Sequence, residues 1–198
     1  MTKKFVIVID AQYDFMMPKG KLYVSGAEHT IVPGIEFLQQ LTPEDTEGVL
    51  FTFDTHSATT YFDQPESKQF PIHCELGTAG WRNVFNHHLV DKKIPTYGLY
   101  KNVFNMWEEP GIVVEDLEFG DKFYVQKRET FFDRLKELGV DTVVVMGVAA
   151  DFCVKWAVDG LVERGFNVEI PRNLTAGIVR DIDTVLVDDF TGKTVKVI

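Results

Sequence analysis

Three short, nearly continuous runs of apolar and largely β-branched residues constrain this chain more than any other feature. Residues 4–10 (Lys-Phe-Val-Ile-Val-Ile-Asp), 48–54 and 141–147 are too brief for helices and too uniformly apolar for strands with one wet face. Such runs read as strands of a parallel sheet buried on both faces. Further strands are expected at 122–127, 167–171 and 184–187, giving six. Helical periodicity fills 32–41, 131–138 and 153–164, each followed by glycine or a turn signal. Alternating strands and helices imply an open α/β sheet with right-handed crossovers, whose ligands bind at the carboxyl ends of the strands. Asp10 and Asp54 stand at two such ends. The aromatic, proline-containing stretch at about 74–121 lacks a clear period and is read as an insertion or lid.

The 198 residues suffice for a single domain with its own core, 1–198, without disulfides. A formal charge of −10 disfavours nucleic acid and anionic membrane as partners, because phosphate binding needs clustered Lys and Arg. The longest apolar runs are about half of the roughly 20 residues that span a bilayer. The N-terminal residues carry no apolar core followed by a small-residue cleavage site, so a cytoplasmic location is expected. In that setting Cys74 and Cys153 are expected to be separate thiols.

Chemistry enters at 147–153, Gly-Val-Ala-Ala-Asp-Phe-Cys, between a buried strand and a helix. A cysteine in the first turn of a helix has its thiolate favoured by the dipole and by free N–H groups, which can also hold an oxyanion. Cys153 is therefore a candidate nucleophile, against the alternative of a buried structural cysteine. Asp10 is a candidate general base, or else a turn-capping acid. Lys127, after Phe-Tyr-Val-Gln, is placed to pair with that base, or else is a solvated surface cation. Asp54 and His56 share one side of an extended strand end, with Glu66 and His73 following within twenty residues. Mixed carboxylate and imidazole donors suit one borderline divalent ion such as zinc, manganese or iron. His87 and His88 lie in a polar stretch and read as solvated.

Taken together, these residues resemble the isochorismatase-like cysteine hydrolases, and within them the nicotinamidase branch. The matching pieces run in one order: Asp10, Gln12, Asp14 and Phe15; Asp54 and His56; 70–74 (Phe-Pro-Ile-His-Cys) continuing to 77–80 (Gly-Thr-Ala-Gly); Lys127 and Arg128; and 147–154. The resemblance implies a doubly wound, mostly parallel sheet with helices on both faces. It implies a triad of Asp10, Lys127 and Cys153, and a metal held by Asp54, His56, His73 and Glu66. It also implies a cis Val148–Ala149 peptide, with an oxyanion hole of the Ala149 and Cys153 N–H groups. Phe15, Phe70, Phe131 and Val148 would line the substrate ring. The implied reaction converts nicotinamide to nicotinate and ammonia through a cysteine thioester, as in NAD salvage, with pyrazinamide also accepted. A homo-oligomer is compatible with the resemblance. Departures are Phe70 where tryptophan is common, Ala150 where threonine is frequent, and 129–132 (Glu-Thr-Phe-Phe) after the lysine, where Phe131 stands for a missing aromatic. The rival within the superfamily is an amidohydrolase acting on an N-carbamoyl compound or a small amide. A catalytically silent interaction module would be expected to have lost a triad member.

Overall fold

The computed structural model describes residues 3–118 and 125–198. In chain order the regular elements are β1 (Lys4–Ile9), α1 (Tyr13–Met16), α2 (Ile31–Gln39), β2 (Thr46–Asp54), β3 (Thr96–Lys101), β4 (Val113–Asp116), β5 (Val125–Lys127), α3 (Arg128–Glu137), β6 (Thr142–Val148), α4 (Cys153–Glu163), β7 (Asn167–Ile170), β8 (Thr175–Ala176), α5 (Ile182–Asp189) and β9 (Val195–Val197). The sheet runs β5-β4-β3-β2-β1-β6-β7-β9, with β8 attached to β6. From β3 across to β9 every pairing is parallel, and only β3–β4 and β4–β5 are antiparallel. β1 is central: the chain winds outward through β2 and β3 on one side, then returns to β6 and β7 on the other. The strand order therefore reverses beside β1, where a crevice opens beyond the strand ends.

Alternation along β1 makes the sheet two-faced. Phe5, Ile7 and Ile9 join Val143 and Val145 of β6 in a core with Phe132 and Leu135 of α3, Val154 and Leu161 of α4, and Val185 of α5. Val6 and Val8 join Val49, Phe51, Val144 and Met146 in a second core closed by Leu38 of α2. Helix α4 forms because its buried residues, Cys153, Val154, Ala157, Val158 and Leu161, recur at helical spacing along one stripe. Fully burying each large apolar side chain contributes on the order of 1.5–3 kcal/mol, so both layers are strongly held.

Three expectations are corrected. The sheet has nine strands among the described residues rather than six. Residues 184–187, expected as a strand, lie inside α5, whose start is capped by the Asp181 carboxylate accepting from the Thr184 N–H at 2.9 Å. Ile182 and Val185 are its buried pair, three residues apart, and Val187 is exposed, so the governing period is helical. The stretch taken as an insertion or lid supplies β3, a parallel strand of the sheet, and β4 beside it. Of the strand expected at 122–127, residues 122–124 lie outside the described residues, and 125–127 form β5.

Candidate active site

Asp10 follows β1 with a positive φ of 43°, a left-handed backbone uncommon for a non-glycine residue. That turn leaves its carboxylate at the strand end. There the Asp10 N–H donates to Thr52 Oγ1 at 3.1 Å, and Thr52 Oγ1 donates to Asp10 Oδ1 at 2.6 Å. Thr52 is on β2, so the β1–β2 ladder fixes the orientation of the acid. Asp54 closes β2 directly beside Lys101, which closes β3. The Lys101 ammonium stands 2.7 Å from Asp10 Oδ2, 3.5 Å from Asp54 Oδ1 and 3.6 Å from Cys153 Sγ. Burial opposes its charge, but Asp10 and Asp54 raise its pKa well above the ordinary lysine range, so it remains a cation.

Lys101 occupies the position that the sequence assigned to Lys127. Lys127 ends β5 and is exposed. Strand β5 is four steps from β1 in the sheet, roughly 19 Å at about 4.8 Å per step, beyond the reach of a lysine side chain. Lys101 is only two steps away. The signal that marked it was present: residues 96–101 (Thr-Tyr-Gly-Leu-Tyr-Lys) end on a charged residue, as do the runs closing on Asp10 and Asp54.

Cys153 is the first residue of α4 and is buried. Burial pushes its thiol up; Lys101 pulls it down, Asp10 and Asp54 push it up again, and the balance lies well above the usual cysteine value. The resting group therefore carries its proton and needs a base to become a thiolate. The Val148–Ala149 peptide is cis. Among the described residues, neither the Ala149 nor the Cys153 N–H donates to a backbone carbonyl. Gly147, with φ of 109°, supports this turn: a Cβ there would stand 2.0 Å from the Ile9 carbonyl oxygen.

The second cluster lies on the other side of Asp54. Its Oδ2 is 2.9 Å from His56 Nε2 and 3.0 Å from His73 Nε2, while Glu66 reaches the same two nitrogens at 3.6 and 3.3 Å. All four residues are buried, and one donor atom from each lies within 4.8 Å of the others. His73 Nδ1 donates to the Pro71 carbonyl at 2.8 Å, which turns Nε2 toward the cluster, as in the outer partners of metal-bound histidines. Both Glu66 oxygens are buried and accept no hydrogen bond among the described residues. Burial lowers the pKa of His73, yet its hydrogen bond with Asp54 and the facing Glu66 carboxylate carry it up to about 10, so the pair of carboxylates calls for positive charge. Two carboxylates and two imidazoles with spare acceptors fit a divalent metal ion. His87 and His88 lie elsewhere, half-buried and exposed, near Glu118.

A cavity of about 20 Å³ joins the two clusters, lined by Asp54, Glu66, Ala149 and Cys153 with Phe15 and Phe70. Leu22, Phe104, Phe152 and Ile178 line it too, none singled out from sequence. Phe152 stands next to Cys153 in the 147–153 run, which was the signal for it, whereas Leu22, Phe104 and Ile178 come from separate loops with no shared motif, so only the fold could have gathered them. Phe131 is corrected: it is buried under the sheet against Phe5, Tyr97 and Phe132, because it lies on the core-facing stripe of α3. Val148 also does not line the cavity; it is buried at the end of β6, paired with Ala176.

The isochorismatase domain family matches residues 4–198. A nicotinamidase/pyrazinamidase of Mycobacterium tuberculosis is 24% identical over 196 residues, covering 98% of this chain and 97% of the relative. Among solved structures, a pyrazinamidase of Pyrococcus horikoshii in complex with zinc superposes with a TM-score of 0.74 at 21% identity, covering 99% of this chain and 98% of that one. An N-carbamoylsarcosine amidase from Thermoplasma acidophilum superposes with a TM-score of 0.71 at 19% identity, covering 99% and 95%. With a family match running from β1 to the last strand, and a doubly wound sheet shared with these hydrolases, the chain belongs to the isochorismatase domain family.

Proposed function

We propose that this protein is a nicotinamidase, hydrolysing nicotinamide to nicotinate and ammonia with Cys153 as nucleophile, and that residues 1–198 form one hydrolase domain. The observation that carries the reading is the buried Lys101 ammonium, 2.7 Å from Asp10 and 3.6 Å from Cys153 Sγ, beside a four-residue metal cluster opening on the same cavity. Full-length relatives named nicotinamidase support it. Asp54, His56, Glu66 and His73 would hold the ion, which we assign as zinc; the two imidazoles support this, as does the zinc complex of the Pyrococcus pyrazinamidase. When bound, the ion supplies a Lewis-acidic anchor for the pyridine nitrogen.

Asp10 accepts the Cys153 proton, and the sulfur attacks the amide carbon. Lys101 stays charged beside both, offsetting the negative charge gathered on sulfur. The Ala149 and Cys153 N–H groups hold the oxyanion. As the C–N bond breaks, Asp10 returns its proton to nitrogen and ammonia leaves. Asp10 then takes a proton from water, which attacks the thioester; the C–S bond breaks, nicotinate leaves and the thiol is restored. Phe15, packed against His73 with ring centroids 5.1 Å apart, flanks the pyridine ring.

The test is ammonia release from nicotinamide, pyrazinamide, benzamide and N-carbamoylsarcosine. Nicotinamide and pyrazinamide, each with a ring nitrogen meta to the amide, should exceed benzamide at least about tenfold in kcat/KM, equivalent to ~1.4 kcal/mol. Equal turnover of benzamide would remove the ring-nitrogen anchor. Preference for N-carbamoylsarcosine would move the protein to the other amidohydrolase activity.

A further inference from the structure

The cavity holding Cys153 is small: about 20 Å³ accommodates roughly one water, far less than a pyridine ring. Next to it lies a second cavity of about 230 Å³, and the two share Glu66 and Phe104 as a common wall. Phe104 stands three residues after Lys101 and belongs to an aromatic triangle. Its ring centroid is 5.8 Å from Phe70 and 5.6 Å from Phe152, and those two are 5.7 Å apart. All three rings line the reaction cavity, but only Phe104 also lines the larger one. The surrounding chain is fastened: the Asn102 N–H donates to Glu109 at 3.0 Å, and Arg128 donates to the Met106 and Glu109 carbonyls. The ring itself is only half-buried.

We propose that Phe104 sets the size of amide this site accepts, its ring being the partition between the reaction cavity and an adjoining subsite for a neutral ring extension. The proposal rests on the nicotinamidase reading. With the amide at Cys153 and the ring nitrogen at the metal cluster, an extension beside that nitrogen points past Glu66 toward the shared wall. Beyond it, Gln64, Gln69 and Asn102 offer carboxamides, Glu108 a carboxylate and Trp156 an apolar surface, with no cation in the lining among the described residues. That chemistry suits a neutral aromatic or hydrogen-bond-donating group and rejects an anionic one.

Quinoline-3-carboxamide keeps the meta nitrogen and adds a fused ring on that side. We expect Phe104→Ala to raise its kcat/KM relative to nicotinamide by at least about tenfold over the wild type, with Phe104→Leu between them. The same variants should speed alkylation of Cys153 by bulky N-(1-pyrenyl)maleimide more than by iodoacetamide, read by peptide mass. If Phe104→Ala fails to fold, Phe104→Leu decides. An unchanged substrate ratio in folded variants overturns the proposal, whatever the labelling shows. Should the wild type not hydrolyse nicotinamide, the labelling rates alone decide, so a failed partition stays distinguishable from a failed activity assignment.

Discussion

One ammonium group serves two anionic clusters in this site. Lys101 touches Asp10 on the side of Cys153 and Asp54 on the metal cluster's side. Its removal would leave two buried carboxylates facing each other, one of the costliest arrangements a protein interior can hold. We therefore expect Lys101→Ala to lower kcat/KM for nicotinamide by at least about a hundredfold, or ~2.7 kcal/mol, and Lys127→Ala to stay within about twofold. Steady-state ammonia release from both variants checks this; comparable losses would return Lys127 to the site. The sequence led to Asp10, Asp54, His56 and Cys153 because each stands in a short motif at a strand end or in the turn after one, and to Glu66 and His73 because they follow Asp54 within twenty residues. It misdirected the lysine because 96–101 lay in the stretch read as an insertion, which left 122–127 as the one expected strand ending on lysine, and the sheet order shows that the end of β3 lies nearer β1. Cys74 shows the same dependence on context. It is buried, with a positive φ of 43° and its N–H donated to Asp14 at 2.8 Å, so its place is structural.

At the scale of elements, the metal cluster acts as the clasp of a long connection. Between the end of β2 and His73 the backbone makes, besides the isolated His56–Glu75 bridge, short 3-10 turns at Tyr61–Asp63 and Pro65–Lys68, the second carrying Glu66. Loops with few ladder hydrogen bonds sit at the low-stability end of a fold. A bound ion ties three parts of this connection to Asp54, so chelation should raise amide hydrogen exchange across residues 56–73 more than in β1 or β6. His56→Ala and His73→Ala should lose the ion, and Glu66→Ala should weaken it less. Uniform exchange with and without chelator, or full metal occupancy in the double histidine variant, would contradict this. Element type was readable where the apolar pattern was long, as in α4, and ambiguous where it was short. Residues 184–187 carry three apolar side chains in four, compatible with a buried strand or a helical stripe, and only Asp181 before them signalled a helix. Strand β3 was missed because a glycine and two tyrosines break the apolar run that marked β1.

For the whole molecule, the doubly wound arrangement is what turns scattered residues into a site. Strands β1, β2 and β3 end at the same edge, and the turn from β6 into α4 opens beside them, so Asp10, Asp54, Lys101 and Cys153 converge although up to 143 positions separate them in sequence. No helix among the described residues is long and apolar enough to cross a membrane. The central claim is that this convergence hydrolyses an amide through Cys153. The most direct measurement is ammonia release from nicotinamide by the metal-loaded wild type and Cys153→Ala side by side, with metal content and circular dichroism recorded for both. The expected result is turnover by the wild type and a loss of at least about a thousandfold in Cys153→Ala at unchanged metal content and fold. Turnover by Cys153→Ala within about tenfold of the wild type would contradict it.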